Sequence, residues 1–335
     1  MWEVIRKNQQ KSLLLLISMG IVLVLLGYFI GMAFDPVDGG FVGIILALLL
    51  YFILLGVAFA QGKSIMLRMS NARKVGPDDY QQLYNIVEEM RLAAGMPSMP
   101  EVYVIDDPSP NAFAAGMNPN KSVVAVTTGL LRIMNRDELQ GVVAHEISHI
   151  VNRDIRYMTL ATVMVGTVAI LSQIFLRSLM FGGARRGGGG SGNKGKGNAI
   201  LILVAVVFSI LAPIAIQLLY FAVSRKREYL ADASAARLTR YPEGLASALE
   251  KIAGSTADMT TADKSMAPMY IANPLKPKGQ RIRNLSSTHP PLDQRIRILR
   301  AMGQSHSYAG YQQAYQSVTN SKKGIIPASA VKSAS

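Results

Sequence analysis

Four long stretches without a single charged side chain, at 12–34, 39–62, 157–176 and 197–224, constrain this chain more than any other feature. A helix of about 20 apolar residues crosses a hydrocarbon core of about 30 Å, and in lipid an isolated segment can satisfy its own backbone only as a helix. Core helices of soluble proteins seldom run so far without a charge. Half of the residues are hydrophobic and 17% are charged, which fits a membrane protein. The last two stretches are interrupted by Gln173, Pro213 and Gln217, so they read either as full spans or as a re-entrant hairpin. The first is too long, and lacks the small-residue site, for a cleaved signal peptide, so it is expected to be retained. With no cysteine, disulfides and thiolate ligands are excluded.

Charge follows the spans. Arg6, Lys7 and Lys11 precede the first, Asp35 and Asp38 separate the first two, and Lys63, Arg68, Arg73 and Lys74 follow the second. Cationic flanks mark the cytoplasmic side, so the expected layout is an N-terminal transmembrane hairpin over 1–62, with spans at about 12–34 and 41–61, and a cytoplasmic segment over 63–156. That segment should hold a helix from Pro77 to Ala94, with Tyr80, Leu83, Ile86, Val87 and Met90 on one face. Two short strands should follow, Val102–Ile105 and Val123–Thr128. A third span over 157–176 leads into a Gly-rich basic connector at 177–198, a fourth span at 199–223 and a mainly helical segment at 224–312. Residues 313–335 are small and polar and read as a disordered tail. The net charge of +14 could suggest nucleic acid, but no aromatic and basic side chains interleave as base stacking requires. The lipid bilayer is the expected partner, and nucleic acid is not.

His145-Glu146-Ile147-Ser148-His149 has the HExxH spacing of zinc proteases. Residues four apart share a helix face, so both imidazoles can reach one ion while Glu146 reaches the water beside it. Asn135 and Glu138 form a capping-box start for that helix. A catalytic zinc site needs a third protein ligand and one open position. Histidine at 155 would supply it in one known continuation, but Ile155 stands there. Downstream, Arg225-Lys226-Arg227-Glu228-Tyr229-Leu230-Ala231-Asp232 offers Glu228 as ligand, with Asp232 one turn later to accept a hydrogen bond from a ligating histidine. His149 lies just before the third apolar stretch and Glu228 just after the fourth, so a hairpin of either kind returns them to one side.

With HEISH, SRKREYLADA and STHPPLDQRI in that order, the sequence resembles the HtpX family of bacterial membrane zinc proteases, related to the CAAX prenyl and OMA-type proteases. The resemblance implies an α+β, mainly helical fold: a gluzincin-like zinc protease domain with a small β-sheet, a transmembrane hairpin before it and a second hydrophobic hairpin inserted in it. It implies one zinc ion on His145, His149 and Glu228, Glu146 as the catalytic base, His289 as oxyanion donor, and Asp232 and Arg295 in support. Asn111, Ala112, Phe113 and Ala114 resemble the family's substrate-binding edge strand. The implied role is quality control of damaged membrane proteins under stress, in the bacterial inner membrane with the catalytic domain facing the cytoplasm. A CAAX-type processing protease is the alternative within the enzyme class. A catalytically silent membrane scaffold is the alternative outside it.

Overall fold

The computed structural model describes residues 2–166 apart from Pro36, then 225–260, 266–274 and 289–332, with isolated helical positions at 207, 210 and 211. The Gly-rich connector, and the third and fourth apolar stretches beyond residue 166 apart from those positions, lie outside the described residues. The chain divides into two compact units, one of residues 11–61 and 160–222, the other of 1–10, 62–159 and 223–335.

In the first unit, α1 (Trp2–Phe34) and α2 (Gly39–Met69) form a helical hairpin. Gly31 of α1 packs directly on the backbone of Gly39, and Gly27 on that of Gly43, contacts that a β-carbon would block. Small residues at such a crossing let helix backbones approach closely. Tyr51 Oη donates to Leu16 O at 2.9 Å and ties the helices further along. Phe41, Leu46, Phe52 and Ile53 remain exposed on α2. Among the described residues α2 is the one helix long and apolar enough to cross a membrane.

The second unit is mainly helical around a four-stranded mixed sheet. Strands β1 (Ala72–Lys74), β2 (Glu101–Ile105), β3 (Ala112–Gly116) and β4 (Ser122–Thr127) stand in the order β1-β2-β4-β3. The central β2–β4 pair is parallel, with Val104 opposite Val126, and both edge pairs are antiparallel. Central strands covered on both faces carry near-continuous apolar runs, and β4, SVVAVT, is buried throughout. Helix α3 (Gln81–Ala93) buries Leu83, Ile86, Val87 and Met90, the expected face. After the short α4 (Thr128–Ile133), α5 (Arg136–Val151) runs through the core, and α6 (Arg225–Thr239), α7 (Pro242–Gly254) and α8 (Leu292–Ala301) complete it.

The expectation of a disordered tail over 313–335 is corrected. Residues Tyr308–Thr319 form α9 and Ala328–Lys332 form α10, with Tyr311, Ala314, Ile326 and Ala330 buried in the core. Composition misled here, because the small and polar residues from 313 onward, read alone, leave out Tyr308 and Tyr311, with which Ala314 recurs at helical spacing. The local signals were present: Ser307 Oγ accepts from Gly310 N at 3.0 Å as N-cap, and Asn320, at φ 53°, closes the helix.

Helices α5 and α7 meet at two glycines. A β-carbon on Gly141 would stand 2.7 Å from Leu245 N, and one on Gly244 would stand 2.7 Å from Asp137 O. Backbone cannot yield as a flexible side chain can. Gly141→Ala should therefore destabilise the protein by about 1–3 kcal/mol through overpacking, despite alanine's better helix propensity. A melting temperature equal to or above wild type would show that the helices can separate at no cost.

Candidate metal centre

Helix α5 is fixed at its start by a complete capping box. Asn135 Oδ1 accepts from Glu138 N at 2.9 Å, and Glu138 Oε2 accepts from Asn135 N at 2.8 Å. Lys251 Nζ of α7 reaches the same Glu138 oxygen at 2.7 Å. Ten residues on, the helix presents His145 and His149 on one face, fully buried and nearly buried respectively, with their Nε2 atoms 3.3 Å apart. Glu228 enters from α6, with Oε2 3.7 Å from His145 Nε2 and Oε1 3.6 Å from His149 Nε2. One ligand atom from each residue lies within 4.8 Å of the others. Atoms at zinc-ligand distance from a tetrahedral ion stand about 3.3–3.4 Å apart; the two imidazole nitrogens meet that spacing, and Glu228 approaches each of them with a different oxygen. Glu146 is buried beside them, and its Oε1 has no hydrogen bond among the described residues. An unsatisfied buried carboxylate oxygen is costly unless water or a cation meets it, which again fits a metal.

Each histidine is held from behind by a carboxylate. Asp232 Oδ1 lies 3.0 Å from His145 Nδ1, and Asp154 Oδ2 lies 3.2 Å from His149 Nδ1. Donation from Nδ1 leaves the Nε2 lone pair free, and both lone pairs can point to the common centre. Asp232 is gripped in turn by Arg295 of α8, through Nε at 2.9 Å and Nη2 at 2.7 Å, while Arg295 Nη1 donates to Ile271 O at 3.1 Å. His289, also buried, places Nδ1 3.1 Å from Glu228 Oε2.

Sequence reasoning passed over Asp154. Five residues after His149 it lies off the helix face, so the i, i+4 rule gives it no role. Arg153 at φ 58° turns the chain through the left-handed region, and Asp154 folds back on the histidine. Asp154 was recoverable only as an acidic residue directly past the end of the motif helix.

The segment 111–114 is less open than expected. The Asn111 side chain is committed to the fold, with Nδ2 donating to Ala272 O at 2.9 Å, and Phe113 is buried edge-on against Tyr270. Ile271 N donates to Ala112 O at 2.9 Å. Since Asn111 O accepts from Thr127 N beside β4, alternation turns the backbone groups of Ala112 and Ala114 to the outer side.

The cluster polarises its own members. Burial disfavours a charge on His145, yet hydrogen bonds to Asp232 and Glu228 carry its pKa up to about 9. Burial likewise opposes ionisation of Glu228, but His289, His145 and His149 outweigh it and hold the carboxyl well below the usual range. Burial raises Glu146, and the flanking histidines offset only part of that rise.

The sequence matches peptidase family M48 over residues 77–303. The chain belongs to that family. Relatives named "Protease HtpX homolog" are 45% identical in Dictyoglomus turgidum, over 90% of this chain and 95% of that one, and 41% identical in Lactobacillus helveticus, over 90% and 100%. The crystal structure of S. mikatae Ste24p is a fainter likeness, with TM-score 0.45 and 19% identity over 89% of this chain and 67% of that one, and carries no argument here. As an M48 member the chain is a metallopeptidase, and its substrates are proteins.

With a pKa carried up to about 9, His145 should hold a proton at neutral pH that a cation bound there displaces, whereas the Glu228 carboxyl, held well below the usual range, should have none to give up. Zinc titrated into metal-free protein at pH 7 should release about one proton per ion from this site, and apparent affinity should rise about tenfold per pH unit up to about pH 9. Calorimetry in buffers of different ionisation enthalpy reads this directly. Heats independent of buffer would show His145 to be neutral before the ion arrives.

Proposed function

We propose that this chain is a zinc-dependent endopeptidase of the bacterial inner membrane that cuts misfolded or damaged membrane proteins on the cytoplasmic side. The observation that carries the reading is the convergence of His145, His149 and Glu228, one ligand atom of each within 4.8 Å of the others, beside a buried Glu146 whose Oε1 has no hydrogen bond among the described residues. In this gluzincin-like arrangement one zinc ion sits on those three residues. When bound, the ion supplies a Lewis acid that polarises the scissile carbonyl and lowers the pKa of water.

The remaining work falls to the chain. Glu146 takes a proton from the attacking water and returns it to the leaving amine, a task suited to a carboxyl whose proton affinity is raised by burial. His289 donates to the oxyanion of the tetrahedral intermediate. Arg295 has its guanidinium committed to Asp232 and the Ile271 carbonyl, so it acts by fixing Asp232 and, through it, His145. Substrate lies as an added strand along β3, hydrogen-bonding to the outward backbone of Ala114 and to neighbouring residues. Such main-chain recognition makes few sequence demands, as a quality-control enzyme requires.

Multi-pass topology with a cytoplasmic site is supported by the cationic residues flanking the first hairpin, of which Lys63 also pairs with Glu101 at 3.0 Å. The second hydrophobic hairpin, inserted between the two halves of the catalytic domain, returns Glu228 to the side of His149.

Detergent-solubilised protein supplied with zinc should cleave an unfolded membrane protein, and Glu146→Ala should lose at least about a hundredfold of that rate while keeping its zinc. Comparable cleavage by the variant would remove Glu146 from the proton transfer. Metal analysis separates the neighbouring carboxylates. Glu228→Ala should lose zinc outright, whereas Asp232→Asn and Asp154→Asn should retain it with affinity weakened about 10- to 100-fold. A zinc-replete Glu228→Ala beside a zinc-free Asp232→Asn would exchange the two assignments.

A further inference from the structure

The helix that sequence composition conceals, α9, packs its tyrosine face on α6, the helix that brings Glu228 and Asp232 to the centre. Tyr308, Tyr311 and Tyr315 fall on one side of α9. The Tyr308 hydroxyl meets Ser234 Oγ of α6 at 3.1 Å, and its ring lies under the Arg237 guanidinium at 5.2 Å. The Tyr315 ring stands edge-on to Tyr229 at 5.1 Å, and Tyr229, adjacent to Glu228, donates to Gln294 of α8 at 2.8 Å. Between these two anchors Tyr311 has no exposed surface and no hydrogen bond for its hydroxyl among the described residues. Its place between those anchors turns it toward the stretch of α6 between Tyr229 and Ser234, which carries Asp232, while α9 also packs on α8, which carries Arg295, the partner of Asp232. The family match stops at residue 303, and α9 begins at Tyr308.

We infer that α9 is a positioning clamp for the metal centre, with Tyr311 as the residue that holds the Asp232–Arg295 pair in register with His145. The physical case is one of packing. A ring filling the space behind a buried ion pair prevents the pair from relaxing away from the histidine, and its removal leaves room in which Asp232 can turn. Tyr308 and Tyr315 fix α6 on either side, so Glu228 enters at a set depth. The inference rests on the proposed ligand set and would be idle without it.

The test measures zinc affinity by competition with a chromophoric chelator, and thermal stability, on the full-length protein in detergent. Tyr311→Leu should weaken zinc binding about tenfold or more, within the usual range for groups behind a ligand. Tyr311→Phe, which keeps the ring, should bind as wild type does. Ile326→Ala, a truncation elsewhere in the same C-terminal core, should lower the melting temperature and leave zinc affinity unchanged. If Tyr311→Leu does not fold, Tyr315→Leu, altered at a half-buried position, should weaken zinc binding in the same direction. Wild-type affinity in Tyr311→Leu, or in Tyr315→Leu where that substitute is used, overturns the clamp. So does a loss in Ile326→Ala equal to that in the tyrosine variant, because the effect would then be general stability. Wild-type protein that binds no zinc overturns the ligand set itself, a separate failure.

Discussion

A guanidinium with no exposed surface, Arg295, is the point on which the catalytic unit is assembled. Burying one charge without partners is prohibitive, and the fold meets that demand from three directions. Asp232 of α6 takes two of its nitrogens, the carbonyl of Ile271 takes the third, and the His145 ring of α5 lies beyond at 3.4 Å. Segments up to 150 residues apart in sequence are thereby tied to one side chain. Replacing such a pair by apolar residues can leave stability unchanged, so stability alone does not account for it. Its geometry does: the carboxylate that satisfies Arg295 is the one that orients His145.

Around that contact the elements divide their labour. The two metal-facing histidines come from one uninterrupted helix whose start is pinned by Asn135, Glu138 and Lys251, so their spacing is set by backbone geometry alone. The proposed third donor comes from α6, a separate helix that packs chiefly on α5. The position of Glu228 therefore depends on how α6 is packed: chiefly against α5, then against α7 and α8, and against α9 through Tyr308 and Tyr315. A metal site of the proposed kind, one rigid pair and one docked ligand, is sensitive to everything that moves the docked element.

Periodic and local features were legible in the sequence. The face of α3, the capping box of α5, the two central strands and the paired imidazoles each follow from spacings of two, three or four residues. What escaped depends on departures from those periods. Asp154 reaches His149 only because Arg153 takes a left-handed conformation, which no propensity of arginine announces. The Asn111 amide, read as a substrate contact, is instead spent on Ala272, a residue 161 positions away. The tail failed as an expectation because reading its small and polar residues alone leaves out Tyr308 and Tyr311, which open the same helix just before it. Counting ring positions at helical spacing from Ser307 would have found α9.

The charges of the centre explain why a divalent cation belongs to the folded state and is more than an addition to it. Glu146, Asp154, Glu228 and Asp232 are all buried there, with the Arg295 guanidinium paired to two of them. Carboxylates gathered in a low-dielectric interior call for positive charge, and without a metal the hydrogen bonds to Asp232 and Glu228 carry the pKa of His145 up to about 9. Protonation satisfies the charge but occupies a lone pair that the chemistry needs. A cation supplies the same positive charge, returns that proton to solvent and leaves the histidine in the tautomer that Asp232 already selects. The proton and the metal thus compete for one electrostatic role, and the fold that tolerates the first is shaped to receive the second.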